Sequence, residues 1–309
     1  MGHAHCVGHQ LGHVVKNLKM QSYIPFPNIG PNLISINLFG FELALRYYAI
    51  AYILGLILGF LMVRSLMRRS HLWKSANPPM IPEKVEDLLT YVILGVIIGG
   101  RLGFCLLYQP SYYLSHPFEI LYVWQGGMSF HGGFAGVIVA GLLFCRLHSA
   151  RPLGVGDAMA AVAPIGLFFG RSANFINAEL WGRPTDVPWA VLFPGERALS
   201  CPAYWEGLCT RHPSQLYEAL LEGVLLFAVM LWGVNRGWLR VPGRLIGVFF
   251  LGYGLARTFV EYFRQADAQY ISPDNPFGHV FMGLTMGQIL SLPMVAIGIV
   301  MLIWSAKRA

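Results

Sequence analysis

G-R-S-A-N-F-I-N-A-E-L-W-G-R, residues 170–183, is the stretch that decides how this chain is read. It follows an apolar run, residues 158–169, and so falls where a membrane-spanning helix should be ending. Yet it carries Arg171, Asn174, Asn177 and Glu179. Arg171, Asn174 and Ala178 are spaced i, i+3 and i+7, which puts them on one helical face. An arginine and amides on that face need partners, because an unpaired polar group in hydrocarbon is costly. Two readings stand side by side. The face is a polar seam that glues helices together, or it is a functional site, the default for ionisable residues inside a membrane.

The rest of the chain supports the membrane setting. Hydrophobic residues make up 55% and charged residues 12%, which excludes an ordinary soluble globule. A formal net charge of +7 raises the question of nucleic acid. The basic residues are scattered through short loops, however, with no nucleic-acid motif and no face of alternating aromatic and basic residues. No nucleic-acid partner is expected; the bilayer is. The five cysteines are Cys6, Cys105, Cys145, Cys201 and Cys209. No CxxC or Cys/His pair at zinc spacing appears in the membrane region, so no metal and no cofactor is expected. Cys105 and Cys145 lie in apolar runs and read as packing residues.

Taken in order, residues 1–19 hold His3, His5, Cys6, His9 and His13 but no long apolar segment. They read as an N-terminal extension rather than a signal peptide or a metal site. Residues 20–44, rich in Pro, Gly and Asn, read as short extended segments and turns on the outer membrane surface. Residues 45–309 read as an all-α polytopic membrane domain of seven transmembrane helices: 45–63, 88–108, 130–145, 158–177, 216–234, 245–263 and 286–304. The second is expected to be interrupted at Gly99–Arg101. A long outer loop, 182–213, separates spans four and five. Lys/Arg counts in the short loops run five, none, two, then three, one, two around that loop. Positive residues prefer the cytoplasmic side, so the N-terminus and loops two, four and six are expected outside and the C-terminus inside.

This topology gathers polar residues toward the outer half of the membrane. Tyr48 opens span one, His131 opens span three, and Arg171–Glu179 close span four. Tyr253, Arg257 and Glu261 run i, i+4, i+8 along span six. That row is either a shared cavity wall or a plain i,i+4 ion pair on one helix. Glu218 and Glu222, also i,i+4, read as partners for buried arginines such as Arg101. The glycines Gly126, Gly127, Gly132 and Gly133 around His131 suggest a turn exposing backbone N–H groups, against the alternative of helix–helix packing through small residues. Trp181, Trp189 and Trp205 suit an interfacial belt.

N-F-I-N-x-E-L-W-G-R after Gly170-Arg171 resembles the signature of bacterial prolipoprotein diacylglyceryl transferases. G-G-M-S-F-H-G-G at 126–133, R-H-P-S-Q-L-Y-E at 211–218, G-Y-G-L-A-R at 252–257 with Glu261, and Tyr47-Tyr48 follow in the family's order. The likeness covers roughly residue 45 to the C-terminus. Ala178 stands where a glycine is usual, and Ser172-Ala173 where Leu-Gly is commoner. Both are small swaps, expected to tighten packing without losing the site.

The resemblance implies an enzyme of the bacterial cytoplasmic (inner) membrane with its site toward the outer leaflet. It would move the diacylglyceryl group of phosphatidylglycerol onto the lipobox cysteine of a prolipoprotein signal-peptide region, giving a thioether and glycerol phosphate. Such chemistry needs a thiolate, hence a base or positive field, and cations for the leaving phosphate. His131 would be the base, with Tyr253 as the other candidate. Arg171 and Arg257 would clamp the phosphate, Asn174 and Tyr253 would orient the donor, and Glu179 and Glu261 would position the arginines. Tyr48 and Gly182 complete the expected substrate-binding set. A transporter or channel, and a lipid-binding scaffold without turnover, are the competing readings; neither makes a thioether.

Cys201 and Cys209 are the cysteines of loop four, expected in an oxidising compartment, with Pro202 and Gly207 able to bend the chain between them. A disulfide and a pair of free thiols both fit that stretch. A Cα–Cα separation above roughly 7 Å would exclude the bridge.

Overall fold

A computed structural model describes residues 22–38, 41–202, 205 and 207–308. The expected extension at 1–19 lies outside the described residues. The chain is mostly helical. Its main elements are β1 (Ile24–Pro25), β2 (Asn32–Leu38), β3 (Phe41–Arg46), α1 (Tyr47–Arg68), α2 (Val85–Leu107), α3 (Phe130–Leu147), α4 (Pro152–Ile176), β4 (Val191–Leu192), α5 (Ser214–Asn235), α6 (Arg244–Val260), β5 (His279–Phe281), β6 (Leu284–Thr285) and α7 (Met286–Ala306). Among the described residues, six helices are long and apolar enough to cross a membrane: α1, α2 with its lead-in turn from Pro82, α3, α4, α5 and α7. The expected span at 245–263 is represented by α6, which has 17 residues. The protein is thus a polytopic helical membrane protein.

Short paired strands accompany the helices. β2 and β3 form an antiparallel hairpin, where alternation within 24–44 had suggested extended chain. β1 pairs in parallel with β4 across more than 160 residues of sequence, and β5 pairs with β6. Neither of these last two pairings was expected from the sequence. Two-residue strands leave almost no alternation to read.

Two compact units emerge from the contacts. One comprises the described residues up to Tyr52, Phe168–Glu222 and Gly254–Pro293; the other comprises Ile53–Leu167, Gly223–Tyr253 and Met294–Ala309.

The second unit holds the larger apolar core, with Met67, Trp73, Phe144, Val155, Met230 and Leu245 all buried. Its tightest seam joins α2 to α3. A Cβ on Gly99 would lie 2.4 Å from the Gly132 carbonyl oxygen, and one on Gly136 would lie 2.0 Å from that of Gly95. Only glycine lets the two backbones approach so closely. The close-packing reading of Gly132 is therefore the correct one, because it lies within α3 rather than in a turn. Gly126 and Gly127 lie outside any helix, both at positive φ. Gly99–Arg101 does not interrupt α2, whose helix runs through it. Glycines at that seam serve packing, and Arg101 is satisfied elsewhere.

Buried Arg101 donates to the backbone carbonyls of Glu119, Ile120 and Gly126 at 2.6–2.9 Å. It organises the loop leading into α3 and does not use Glu218 or Glu222. Asp157, fully buried on α4, accepts from the backbone N–H groups of Gly243 (2.6 Å) and Ile246 (2.9 Å). It caps the start of α6 from another helix, satisfying donors that a helix N-terminus leaves open.

The first unit is knitted by its long loop. Buried Arg211 donates to the carbonyls of Ala198 and Ser200 and lies 3.9 Å over the Trp181 ring. Trp181 is thus half-buried beneath the Arg211 guanidinium. Trp189 donates to Tyr217 Oη, and Trp205 donates to the Leu208 carbonyl. Cys201 and Cys209 are joined in a disulfide with Cα atoms 5.6 Å apart, inside the range a bridge allows. Cys105 and Cys145 are buried thiols, as their apolar surroundings suggested.

Candidate functional site

The site is best built from the end of α4, within the first unit. Arg171 and Asn174 lie one helical turn apart, and α4 ends at Ile176. Beyond it, Ala178 takes φ +52° and Leu180 φ +55°. The left-handed conformation at Ala178 is one that glycine adopts without cost and that a methyl group makes unfavourable. The turn folds Glu179 back onto the helix. Glu179 Oε1 accepts from Asn174 Nδ2 at 2.7 Å, and the same nitrogen lies 3.3 Å from Tyr48 Oη. Tyr52 continues the row, its hydroxyl 3.5 Å from that of Tyr48. Gln215 Nε2 donates to the Glu179 carbonyl at 2.6 Å and fixes the turn from α5.

Arg171 belongs to a second, charged group. Its Nε lies 3.2 Å from Glu218 Oε2 and 3.5 Å from Glu222 Oε2. Glu218 also accepts from Arg257 Nη1 and, at 2.9 Å, from Arg264 Nη1. Glu261 pairs with Arg257 Nη2 at 2.9 Å and with Arg264 Nε at 3.4 Å. Three guanidinium groups and three carboxylates therefore meet. Glu218 and Glu222 are fully buried, while the arginine side chains keep 11–19% exposure. The carboxylates are thus the more deeply buried partners of the cluster.

Local structure explains why these groups converge. α5 carries a π-helical segment, Ala219–Leu225, directly after Glu218. Such bulges recur at functional sites. Arg257, Glu261 and Arg264 follow i, i+4, i+7 through the end of α6 and the turns after it. Glu261 is held by a third element: Thr285 Oγ1 donates to its Oε1 at 3.1 Å, and a Cβ on Gly287 would lie 2.5 Å from its Cδ. Thr285 and Gln288 also cap the start of α7 reciprocally, so the Glu261 carboxylate rests against that helix N-terminus, where negative charge is favoured. Burial lowers the pKa of Arg264, and Arg257 lowers it further, while Glu218 and Glu261 oppose the shift.

Gly182 sits where two backbones converge. A Cβ there would lie 2.4 Å from the Phe263 carbonyl oxygen and 2.7 Å from that of His212. Its N–H donates to the His212 carbonyl at 2.8 Å. Close approach alone therefore requires glycine at this position. His212 packs against Phe263 and Tyr217, and burial, with Arg183 nearby, lowers its pKa below the usual histidine range.

Tyr48, Arg171, Asn174, Glu179, Gly182, Arg257 and Glu261 all fall in the first unit. His131 and Tyr253 fall in the second. His131 is exposed in the first turn of α3, beside the Phe130 ring. Ser129 caps that turn by accepting from the Gly132 N–H at 3.2 Å. Tyr253 is buried and stacks on Phe249, one helical turn before Arg257 on α6. Arg264 lies past the end of α6, as a loop residue should, and sequence reasoning assigns it no place in the cluster; Glu218 and Glu222 do meet buried arginines, but Arg171, Arg257 and Arg264 rather than Arg101. The i, i+4, i+7 spacing of Arg257, Glu261 and Arg264 was the available signal. Among the described residues, no group of three or more His, Cys, Asp or Glu is arranged to hold a metal ion.

A family model described as prolipoprotein diacylglyceryl transferase matches residues 34–304. The chain belongs to that family. Relatives named phosphatidylglycerol–prolipoprotein diacylglyceryl transferase cover it almost end to end. One from Cereibacter sphaeroides is 57% identical over 295 residues, which is 93% of this chain and 100% of the relative. One from Ruegeria pomeroyi is 55% identical over 94% of this chain and 98% of the relative. One from Rhodospirillum rubrum is 49% identical over 93% and 95%. The motifs around His131, Arg171, Arg211 and Arg257 all lie inside the span that the prolipoprotein diacylglyceryl transferase model matches.

Proposed function

We propose that this chain transfers the diacylglyceryl group of phosphatidylglycerol to the lipobox cysteine of prolipoproteins. The observation that carries the reading is the family match over residues 34–304. The cysteine sulfur attacks the glyceryl carbon, the carbon–oxygen bond to phosphate breaks, and a thioether and glycerol phosphate result. A free thiol with a pKa of about 8.5 must lose its proton first. His131 is assigned as the base on its motif, with Tyr253 as the alternative. Arg171 and Arg257 hold the phosphate by bidentate hydrogen bonds and stabilise the charge it gains on leaving. Asn174 and Tyr253 orient the donor, Tyr48 and Gly182 belong to the same substrate-binding set, and Glu179 and Glu261 position the arginines.

The test is a membrane assay with phosphatidylglycerol and a lipobox peptide. Mass spectrometry should find a diacylglyceryl thioether on the cysteine and glycerol phosphate in solution. Lipid binding or transport without that thioether would sink the reading and favour a scaffold or a transporter.

The proposed topology has seven spans in the cytoplasmic membrane, with α6 as the sixth, the N-terminus and the site outside, and the C-terminus inside. Residues 20–44 form the outer surface segment and 45–309 the membrane domain. The alternating Lys/Arg counts support it. If α6 did not cross, Arg236, Arg240 and Arg244 would share a side with Arg264, and Lys307-Arg308 would lie outside. Single cysteines at Ser111 and Lys74, in a background lacking free thiols, check it with an impermeant thiol reagent in intact cells. Labelling at Lys74 with protection at Ser111 would reverse the orientation.

A further inference from the structure

We infer that Glu218 is an internal competitor for the phosphate site: it occupies the arginine forks when no anion is bound and sets how tightly they hold one. This rests on the phosphate-clamp reading above and adds a specificity-determining residue to it. Glu218 is fully buried and meets Arg171 (3.2 Å), Arg257 and Arg264 (2.9 Å) at once. Its Oε1 accepts from Arg257 and Arg264, and its Oε2 lies within ion-pair distance of Arg171 without a hydrogen bond. Two of these three guanidinium groups are those assigned to the phosphate. A guanidinium has five donors in a fixed plane, so a carboxylate and a phosphate compete for the same geometry.

The charges agree with such a balance. Arg171, Arg257 and Arg264 face Glu218, Glu222 and Glu261, so the formal charges cancel when all six are ionised. An uncompensated cluster of three arginines would bind a phosphate monoester far more firmly than a diester, because the monoester product carries more negative charge. A lipid transferase must bind a diester donor and then release a monoester. Built-in carboxylates weaken both complexes, and weaken that of the more highly charged product most. Glu218 is the natural agent, since it meets all three arginines and is more deeply buried than any of them.

The experiment uses the purified full-length protein in detergent micelles, with glycerol phosphate as probe and isothermal titration as readout. Glu218→Gln keeps the side-chain volume and removes the charge. Because the site is partly buried and screening is weak, the variant should bind glycerol phosphate at least about tenfold more tightly than the wild type. Product inhibition of transfer should tighten in parallel, and the gain should be smaller for phosphatidylglycerol than for glycerol phosphate. A purely structural role predicts equal or weaker binding, and that result overturns the inference. Should Glu218→Gln not fold, Glu218→Asp decides: it keeps the charge but withdraws the carboxylate from the forks, and binding must tighten by a smaller factor. Unchanged or weakened binding in Glu218→Asp overturns the inference equally. If the wild type forms thioether but neither variant gains affinity, the competition fails and the transferase reading stands. If the wild type forms no thioether and binds no glycerol phosphate, the clamp itself fails.

Discussion

Gly132 and Gly133 are chemically identical neighbours following His131, and the structure assigns them opposite tolerance to a methyl group. On Gly132 a Cβ would lie 2.3 Å from the Gly99 carbonyl oxygen and 2.7 Å from the Gly103 Cα. On Gly133 the nearest atom, the Val96 carbonyl oxygen, is 3.6 Å away. Carbon–oxygen contacts settle near roughly 3.3 Å, so Gly132→Ala must push α2 and α3 apart by about 1 Å. A gap of that size forfeits about a quarter to a half of each dispersion contact along the seam. With the strain of overpacking, the expected cost is about 1–3 kcal/mol. At about 2–4 °C per kcal/mol, the melting temperature in detergent should fall by roughly 2–12 °C, while Gly133→Ala should stay within roughly 1 °C. Thermal unfolding read by intrinsic fluorescence, with transferase activity measured on the same preparations, separates the two. Activity should fall in Gly132→Ala, because the first turn of α3 carries His131. Equal damage in both variants would refute the packing account and restore the reading of a turn that offers backbone N–H groups. No damage in either would refute both.

Three further outcomes are expected. Arg171→Lys and Arg257→Lys retain charge but lose the planar fork, so each should lower turnover by about tenfold or more; wild-type rates in both would end the clamp assignment. His131→Ala should be inactive at pH 7 and regain part of its rate near pH 9, where the acceptor thiol ionises unaided; full activity at neutral pH would remove His131 as base. Ala178→Gly should stabilise the protein by about 0.5–1 kcal/mol, since Ala178 holds φ +52°; a lower melting temperature would mean that the methyl contact outweighs the backbone strain.

Much of this architecture was legible in the chain itself. Apolar runs marked the helices, with ends displaced by as much as six residues at the start of α4, because a membrane span must satisfy its backbone internally and so advertises its length. The polar face of Arg171 and Asn174 was legible for the same reason: such residues have no innocuous place in hydrocarbon. What stayed hidden were choices between partners. The i,i+4 spacing of Glu218 and Glu222 says that they share a face, but not that this face meets Arg171 and Arg264 rather than Arg101. Arg101 is satisfied by carbonyl groups, which every residue possesses and no pattern flags. The glycines beside His131 fit a turn and a close helix crossing equally well until the opposing glycines of α2 are known. The π segment in α5 leaves no compositional trace, and the role of Arg264 depends on a spacing that continues past the end of its helix.

The grip of Asp157 on the start of α6 carries a consequence for how the protein is made. Gly243 and Ile246 lie 86 and 89 residues after Asp157. The ribosome delivers α4 well before α6, so the acceptor is already in place when the donors emerge. At 17 residues and opening on Arg244, α6 has less apolar length than its neighbours to hold itself in a bilayer. The start of α6 is thus held by a carboxylate from a helix that precedes it in the chain. Loss of the Asp157 carboxylate would take this acceptor from the Gly243 and Ile246 N–H groups and loosen the start of α6, the helix that carries Tyr253 and Arg257.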